Sequence, residues 1–557
     1  MRRSIQTCLA LAGAAAATSG TLEFALSKRD AFGQQSQVAR GVLLKRQDTI
    51  GTVEQSVYDV LPWSLGGAYY TNISVGTPPQ VQTVILDTGS SDTYLDASSA
   101  APCQTTGVYS CRGGSFDSST SSTYRVTIPD GFETAFGDGS SASGDFATDV
   151  VQLGDVQISN VQFGLATKVN STTGFAVGLM GIGYSLNEAS QVQYANMPEV
   201  LRDAGVINSR LYSVFLNDIG DASGTILFGG IDTSKYSGNL VTLNLLPVPI
   251  PTNSGTLDVV YEFVVAVTAL SATNNGETTE FFSGGEVDGT SGSLPVLLDT
   301  GSAAWTVPTS VYDAVARLIP DLDRYGFLPC SSIPESLSLK LTFGGAVDIE
   351  VPASELIVPV YDSLTNEQNT TTNGEPLCTF MLSPGKATTD QPFLTLGDAV
   401  LRSMYVVFDL DNGQVSIAQA RTNTSTSASS SSSGNNIKVV QAGLDGVANA
   451  VGPSSVSTAP ANGNTIAPAV SATAHFSVKT TLPAIGTATG TDAVPGSGRV
   501  GETAAAGGSS GSASGSSAAA SSSGAASGLR APPMEYAMLS SVAFAVIGIF
   551  AGAALML

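Results

Sequence analysis

Val84-Ile85-Leu86-Asp87-Thr88-Gly89-Ser90 and Val296-Leu297-Leu298-Asp299-Thr300-Gly301-Ser302 are two copies of one short pattern, 212 residues apart. Each is an apolar, strand-like run that ends in Asp-Thr-Gly-Ser. Two copies with matching apolar flanks imply an internal duplication. A buried strand delivers each Asp to a tight turn, where Gly allows a backbone course that a side chain would block. Two such turns meeting at the interface of two lobes would set two carboxylates side by side. Like charges that close cannot both ionise, so the pair would share a proton. One member could then act as a base on water while the other acts as an acid.

Composition excludes most other hydrolytic chemistries. The only histidine of the 557 residues is His475, in a low-complexity stretch. A Ser-His-Asp triad, a Cys-His pair and a histidine-based metal site are therefore ruled out for the folded region. The net charge of −23 is unevenly placed: residues 47–421 hold 40 acidic and 12 basic residues, whereas residues 1–46 carry +5. An acidic body repels nucleic acid and loses self-repulsion as pH falls. A basic leader suits it as an electrostatic partner.

Other segments extend the pattern. Tyr70-Thr71-Asn72-Ile73-Ser74-Val75-Gly76-Thr77-Pro78-Pro79-Gln80 precedes the first Asp turn. Gly178-Leu179-Met180-Gly181-Ile182-Gly183-Tyr184 and Phe393-Leu394-Thr395-Leu396-Gly397-Asp398 are paired apolar segments punctuated by Gly. Phe136-Gly137-Asp138-Gly139-Ser140 has the look of a hairpin tip. In order and spacing these pieces resemble the pepsin-like aspartic endopeptidases over roughly residues 69–419, and with the terminal signals below they are most similar to the fungal yapsins. The resemblance implies an all-β, bilobal fold with the cleft between two related lobes. It implies Asp87 and Asp299 as the catalytic pair and no cofactor or metal. Ser90 and Ser302 would donate to the outer carboxyl oxygens, and Thr88 and Thr300 would brace the loops. Gly89 and Gly301 complete the two turns, and Gly137, Asp138 and Gly139 would form a mobile flap with Phe136. Two positions depart from the family pattern. The flap tip is commonly Tyr and here is Phe136; the position seven after the first Asp is commonly Trp and here is Tyr94. That departure leaves a second reading open, a catalytically impaired binding or wall protein on the same fold.

Cys103, Cys111, Cys330 and Cys378 follow a leader cysteine, Cys8. Four cysteines in a secretory context read as two disulfides with three possible connectivities. Locality and the resemblance favour Cys103–Cys111 and Cys330–Cys378. A zinc site of four thiolates is the alternative, and no close C-x-x-C spacing supports it.

Met1-Arg2-Arg3 and the apolar run after it read as a signal peptide over 1–20. Residues 21–46 read as a propeptide that ends at the dibasic pair Lys45-Arg46. The N-terminal lobe is expected over 47–240 and the C-terminal lobe over 241–421. Within them, Val259 to Val265 reads as one strand, and Met197 to Ala204 and Ser310 to Leu318 read as helices. Asn72, Asn170, Asn369 and Asn423 sit in N-x-S/T sequons. Residues 422–535 are rich in Ser, Thr, Ala and Gly and read as a disordered stalk. Small residues over 521–528, a spacer, and the apolar end 536–557 form a GPI-anchor signal, with a transmembrane tail as the alternative. The expected protein is a monomer at the outer cell surface or wall, with protein or peptide substrates and a GPI lipid and membrane as partners.

Overall fold

A computed structural model describes residues 68–422 apart from short gaps, the strands Leu22–Lys28 and Ser56–Asp59, and parts of 436–450. Three large sheets carry the fold. The first has seven strands, in the order Tyr70–Val75, Gln80–Asp87, Gly178–Gly181, Thr93–Asp96, Val156–Asn170, Ser141–Leu153 and Arg125–Ala135. Pairing of Tyr70–Val75 with Ser141–Leu153 links its two sides. The second has eight strands, among them Val264–Asn274, Leu294–Leu298, Leu394–Leu396 and Trp305–Pro308. In Ser141–Leu153 buried and half-buried residues alternate, as expected of a strand with one face in the core.

The sequence duplication is visible in the strand pairing. Gln80–Asp87 lies parallel to Gly178–Gly181, with Asp87 opposite Gly181. Leu294–Leu298 lies parallel to Leu394–Leu396 in the same way. Each later strand then takes an antiparallel partner, Thr93–Asp96 in one sheet and Trp305–Pro308 in the other. The fold is therefore all-β and bilobal, as the sequence implies.

The third sheet joins the halves. Its order is Tyr236–Asn244, Gln414–Ala420, Met404–Asp409, Leu211–Phe215, Ser223–Phe228, Leu22–Lys28 and Ser56–Asp59. Leu211–Phe215 pairs with Met404–Asp409 across the chain's midpoint. The leader strand Leu22–Lys28 lies between Ser223–Phe228 and Ser56–Asp59.

Several local expectations shift. The expected boundary at 240/241 falls within the strand Tyr236–Asn244, which pairs with Gln414–Ala420 at the edge of the joining sheet. The run Val259 to Val265 is broken: one strand ends at Val259 and the next begins at Val264. Phe263 packs against Tyr212 and Phe408 at the joining sheet, so the chain leaves the strand course to bury it. The two helices form as Met197–Asp203 and Thr309–Ala316.

The stalk expectation over 422–535 also changes. Ile437–Val439 pairs with Gly230–Asp232, and Val440 is 2% exposed in a cluster with Leu211, Phe215, Ile231, Tyr405 and Val407. Short apolar residues in a Ser/Ala/Gly-rich context gave no periodic signal, yet a ready apolar face and a free edge at 230–232 capture them. The signal segment 1–20, Lys45 and Arg46, Asn423 and the tail 536–557 lie outside the described residues.

Candidate active site

The two Asp-Thr-Gly-Ser loops meet. Thr88 Oγ1 donates to Leu298 O at 2.9 Å and accepts from the Thr300 N–H at 3.0 Å. Thr300 Oγ1 donates to Leu86 O at 2.8 Å and accepts from the Thr88 N–H at 3.1 Å. Each hydroxyl thus spans the lobe interface and ties the opposite loop, which is the bracing expected of these residues. Thr88 and Thr300 are fully buried, so all four bonds are shielded from water.

The glycines make room for the carboxyls. A Cβ at Gly89 would lie 2.6 Å from Asp299 Oδ1, and one at Gly301 would lie 2.5 Å from Asp87 Oδ1. Neither approach is possible for a residue with a side chain. Gly89 N–H and Gly301 N–H donate to Oδ1 of Asp87 and Asp299 respectively, each at 2.8 Å. The two carboxyls are close enough that the charge of Asp87 acts on Asp299.

Burial raises both carboxyls above the ordinary aspartate range. For Asp87 the Ser90 hydroxyl, donating to Oδ2, opposes that rise. For Asp299 the charge of Asp87 adds to it. Ser302 differs from its expected role: its hydroxyl is directed at Ala304 O at 3.4 Å, not at Asp299. The two loops are therefore not equivalent: a serine hydroxyl donates to the Asp87 carboxyl, and the matching hydroxyl does not reach Asp299.

Threading segments fix the loops from behind. Ile182 N–H donates to Asp87 O and Gly183 N–H to Ser90 O. Asp299 N–H donates to Leu396 O and Asp398 N–H to Ser302 O. Gly397 sits so close that a Cβ there would lie 2.2 Å from Ser302 O.

The flap is the hairpin between Arg125–Ala135 and Ser141–Leu153. Phe136 N–H bonds Ser140 O, Gly139 N–H bonds Phe136 O, and Gly139 takes φ +87°. Asp138 stiffens the turn by accepting from Ser140 N–H, Ser140 Oγ and Thr172 Oγ1. Phe136 lies over Tyr94 with ring centroids 6.2 Å apart. The Tyr94 hydroxyl points the other way, to Val177 O at 3.2 Å. Flap and wall therefore meet through ring packing, with no hydroxyl between them.

One residue escapes the sequence reading. Glu262 is buried, and its carboxyl is pushed well up by burial and by the charges of Asp299 and Asp87. Asn187 Nδ2 donates to it at 2.8 Å and also reaches Gly89 O at 3.4 Å. Its one signal in the sequence was an acid within the apolar run 259–265.

Both disulfides form as favoured, Cys103–Cys111 and Cys330–Cys378. Of the sequons, Asn170 is exposed beside the flap turn, with Nδ2 3.4 Å from Gly139 O. Asn369 is half-buried, and Asn72 lies in a strand and accepts from Thr83 Oγ1 at 2.6 Å.

Residues 68–420 match the family model described as eukaryotic aspartyl protease. The chain belongs to that family. The protease is 34% identical over 395 residues to the Aspergillus oryzae protein named Probable aspartic-type endopeptidase opsB, covering 69% of this chain and 73% of the relative. It is 32% identical over 482 residues to the Trichophyton verrucosum OPSB protein of the same description, covering 84% and 90%. It is 31% identical over 372 residues to the Saccharomyces cerevisiae aspartic proteinase yapsin-3, covering 63% and 66%. The protease is an aspartic-type endopeptidase, a hydrolase acting on peptide bonds.

Proposed function

We propose that Asp87 and Asp299 are the catalytic pair of an acid-active endopeptidase at the outer cell surface. The observation that carries this reading is the interlock of the two loops, in which each glycine leaves room for the opposite carboxyl. Asp87, with the Ser90 donor, is the member that ionises first and takes a proton from the attacking water. Asp299 retains its proton and donates to the scissile carbonyl. Activity fades once both carboxyls ionise. The flap, with Gly137 and Gly139 in its turn, closes over the substrate and excludes water.

The yapsin relative, the basic leader and the apolar tail support secretion and a GPI anchor. Lys45-Arg46 is the processing site in this reading. Removal of 21–46 takes away the strand Leu22–Lys28 and leaves Ser56–Asp59 without its partner, so maturation rearranges that edge of the joining sheet.

The test is cleavage of an unfolded protein substrate at pH 3–8, with and without pepstatin, by the wild-type chain and by Asp87→Asn and Asp299→Asn. Loss of activity in both variants with an unchanged fold is expected. Full activity in either refutes the assignment, and an inactive wild type favours the impaired binding protein. Release from membranes by a phosphatidylinositol-specific phospholipase tests the anchor.

A further inference from the structure

Asp96 ends the strand Thr93–Asp96, two residues past Tyr94. The reading of the catalytic pair makes no use of it. Its side chain is 1% exposed, and among the described residues neither carboxyl oxygen has a hydrogen-bond partner. A carboxyl oxygen of Asp96 and the sulfurs of Cys103 and Cys111 all lie within 4.8 Å of one another. The two cysteines are half-buried, so the bridge keeps contact with solvent that the carboxyl lacks. The sulfurs are bonded to each other, so the cluster is not a metal site in this state.

Among the described residues no counter-charge accompanies the carboxyl. Gly164, Leu165 and Ala166 run alongside Thr93–Asp96, and Phe116 N–H bonds the Asp96 carbonyl at 2.8 Å. Tyr94 is the titratable neighbour on the same strand, and burial keeps it neutral. Arg112, beside Cys111, lies over the Phe175 ring at 4.2 Å. Burial alone moves the Asp96 carboxyl up to about 7. In the acid range it is a neutral proton donor beside two sulfurs.

We propose that Cys103–Cys111 is a thiol-exchange site at which Asp96 gives its proton to the departing sulfur when a small thiol of the glutathione class opens the bridge. The attacking thiolate forms a bond to one cysteine sulfur, and the Cys103–Cys111 bond breaks. The electron pair goes to the other sulfur, which takes the Asp96 proton and leaves as a thiol. The carboxylate is then reprotonated from solvent. A second thiolate resolves the mixed disulfide, so that two small thiols are oxidised and one protein disulfide is reduced. With Asp96 protonated the sulfur departs as a neutral thiol and a single negative charge passes to the carboxylate until solvent reprotonates it, whereas an ionised Asp96 would set a second negative charge beside the leaving thiolate. Modification there reaches the cleft edge, because Tyr94 on the same strand packs against the flap.

The experiment uses the full chain with pepstatin present and reduced glutathione at pH 5–8.5. Acid quenching, alkylation and mass spectrometry follow each cysteine, and rates are divided by the thiolate concentration. The normalised opening rate of Cys103–Cys111 should fall about tenfold or more from pH 5.5 to 8.5. Asp96→Asn should give a flat profile that is slower than wild type at pH 5.5 and faster at pH 8.5, so the two curves cross. Cys330–Cys378, in which Cys378 is buried, is the internal control and should show no such fall. Parallel profiles overturn the proposal. A variant faster at every pH also overturns it, because Asp96 would then act only as a repelling charge. If Asp96→Asn does not fold, the wild-type profile decides: no fall relative to Cys330–Cys378 refutes proton donation.

Discussion

Asp96→Asn should make this protease more stable at neutral pH while leaving it nearly unchanged in acid. In the folded chain burial raises the carboxyl from an ordinary 3.8 to about 7. Between those values the folded chain holds a proton that the unfolded chain has released. Stability therefore falls as pH rises through about 4 to 7, with no loss below that window and no further loss above it. At about 1.36 kcal/mol per pH unit, the rise is worth up to about 4 kcal/mol. Asparagine cannot ionise, and its amide shares the same unpartnered pocket, so the variant escapes this loss. Asp409, raised to about 6 by burial, behaves alike in both chains and cancels in the difference. The assay is urea unfolding at pH 4, 6 and 8, in an Asp87→Asn background to prevent self-digestion. The variant should match its parent within about 1 kcal/mol at pH 4 and exceed it by several at pH 8. A stability difference that stays constant from pH 4 to 8 would refute the reasoning.

Three further outcomes follow from the geometry. Thr88→Val leaves Thr300 N–H and Leu298 C=O unpaired in the buried lobe interface; it should cost about 2–4 kcal/mol in urea unfolding and lower kcat, with Thr300→Val behaving as its mirror. Val440→Asp places a charge in the apolar cluster beneath the joining sheet and should lower stability by about 3 kcal/mol, whereas Lys438→Ala, at an exposed position two residues earlier, should cost far less. Glu262→Gln removes a carboxyl whose ionised form favours a proton on the Asp87–Asp299 pair, so the neutral-side limb of the kcat/KM profile should move to lower pH; an unmoved limb would separate Glu262 from the pair.

The duplicated Asp-Thr-Gly-Ser strands were legible in the sequence because the pattern is local: apolar run, acid, turn glycine. The threading segments, the flap turn and the favoured cysteine pairing rested instead on the resemblance carried by the order of these pieces, since Cys330 and Cys378 stand 48 residues apart. From these the all-β bilobal fold followed through resemblance. Only the tertiary structure decided how the copies differ. Ser90 reaches Asp87 while Ser302 turns to Ala304, and the one difference between the heptapeptides, Ile85 against Leu297, carries no signal of it. It also decided that Glu262 faces the pair and that the Tyr94 hydroxyl serves Val177 rather than the flap. The capture of Ile437–Val440 by an open strand edge and an apolar cluster depends on surfaces assembled from residues 211–420. The same is true of Asp96, whose proton affinity comes from what surrounds it and not from its neighbours in sequence. Local chemistry is written along the chain, whereas burial and cross-chain contact are properties of the packed whole.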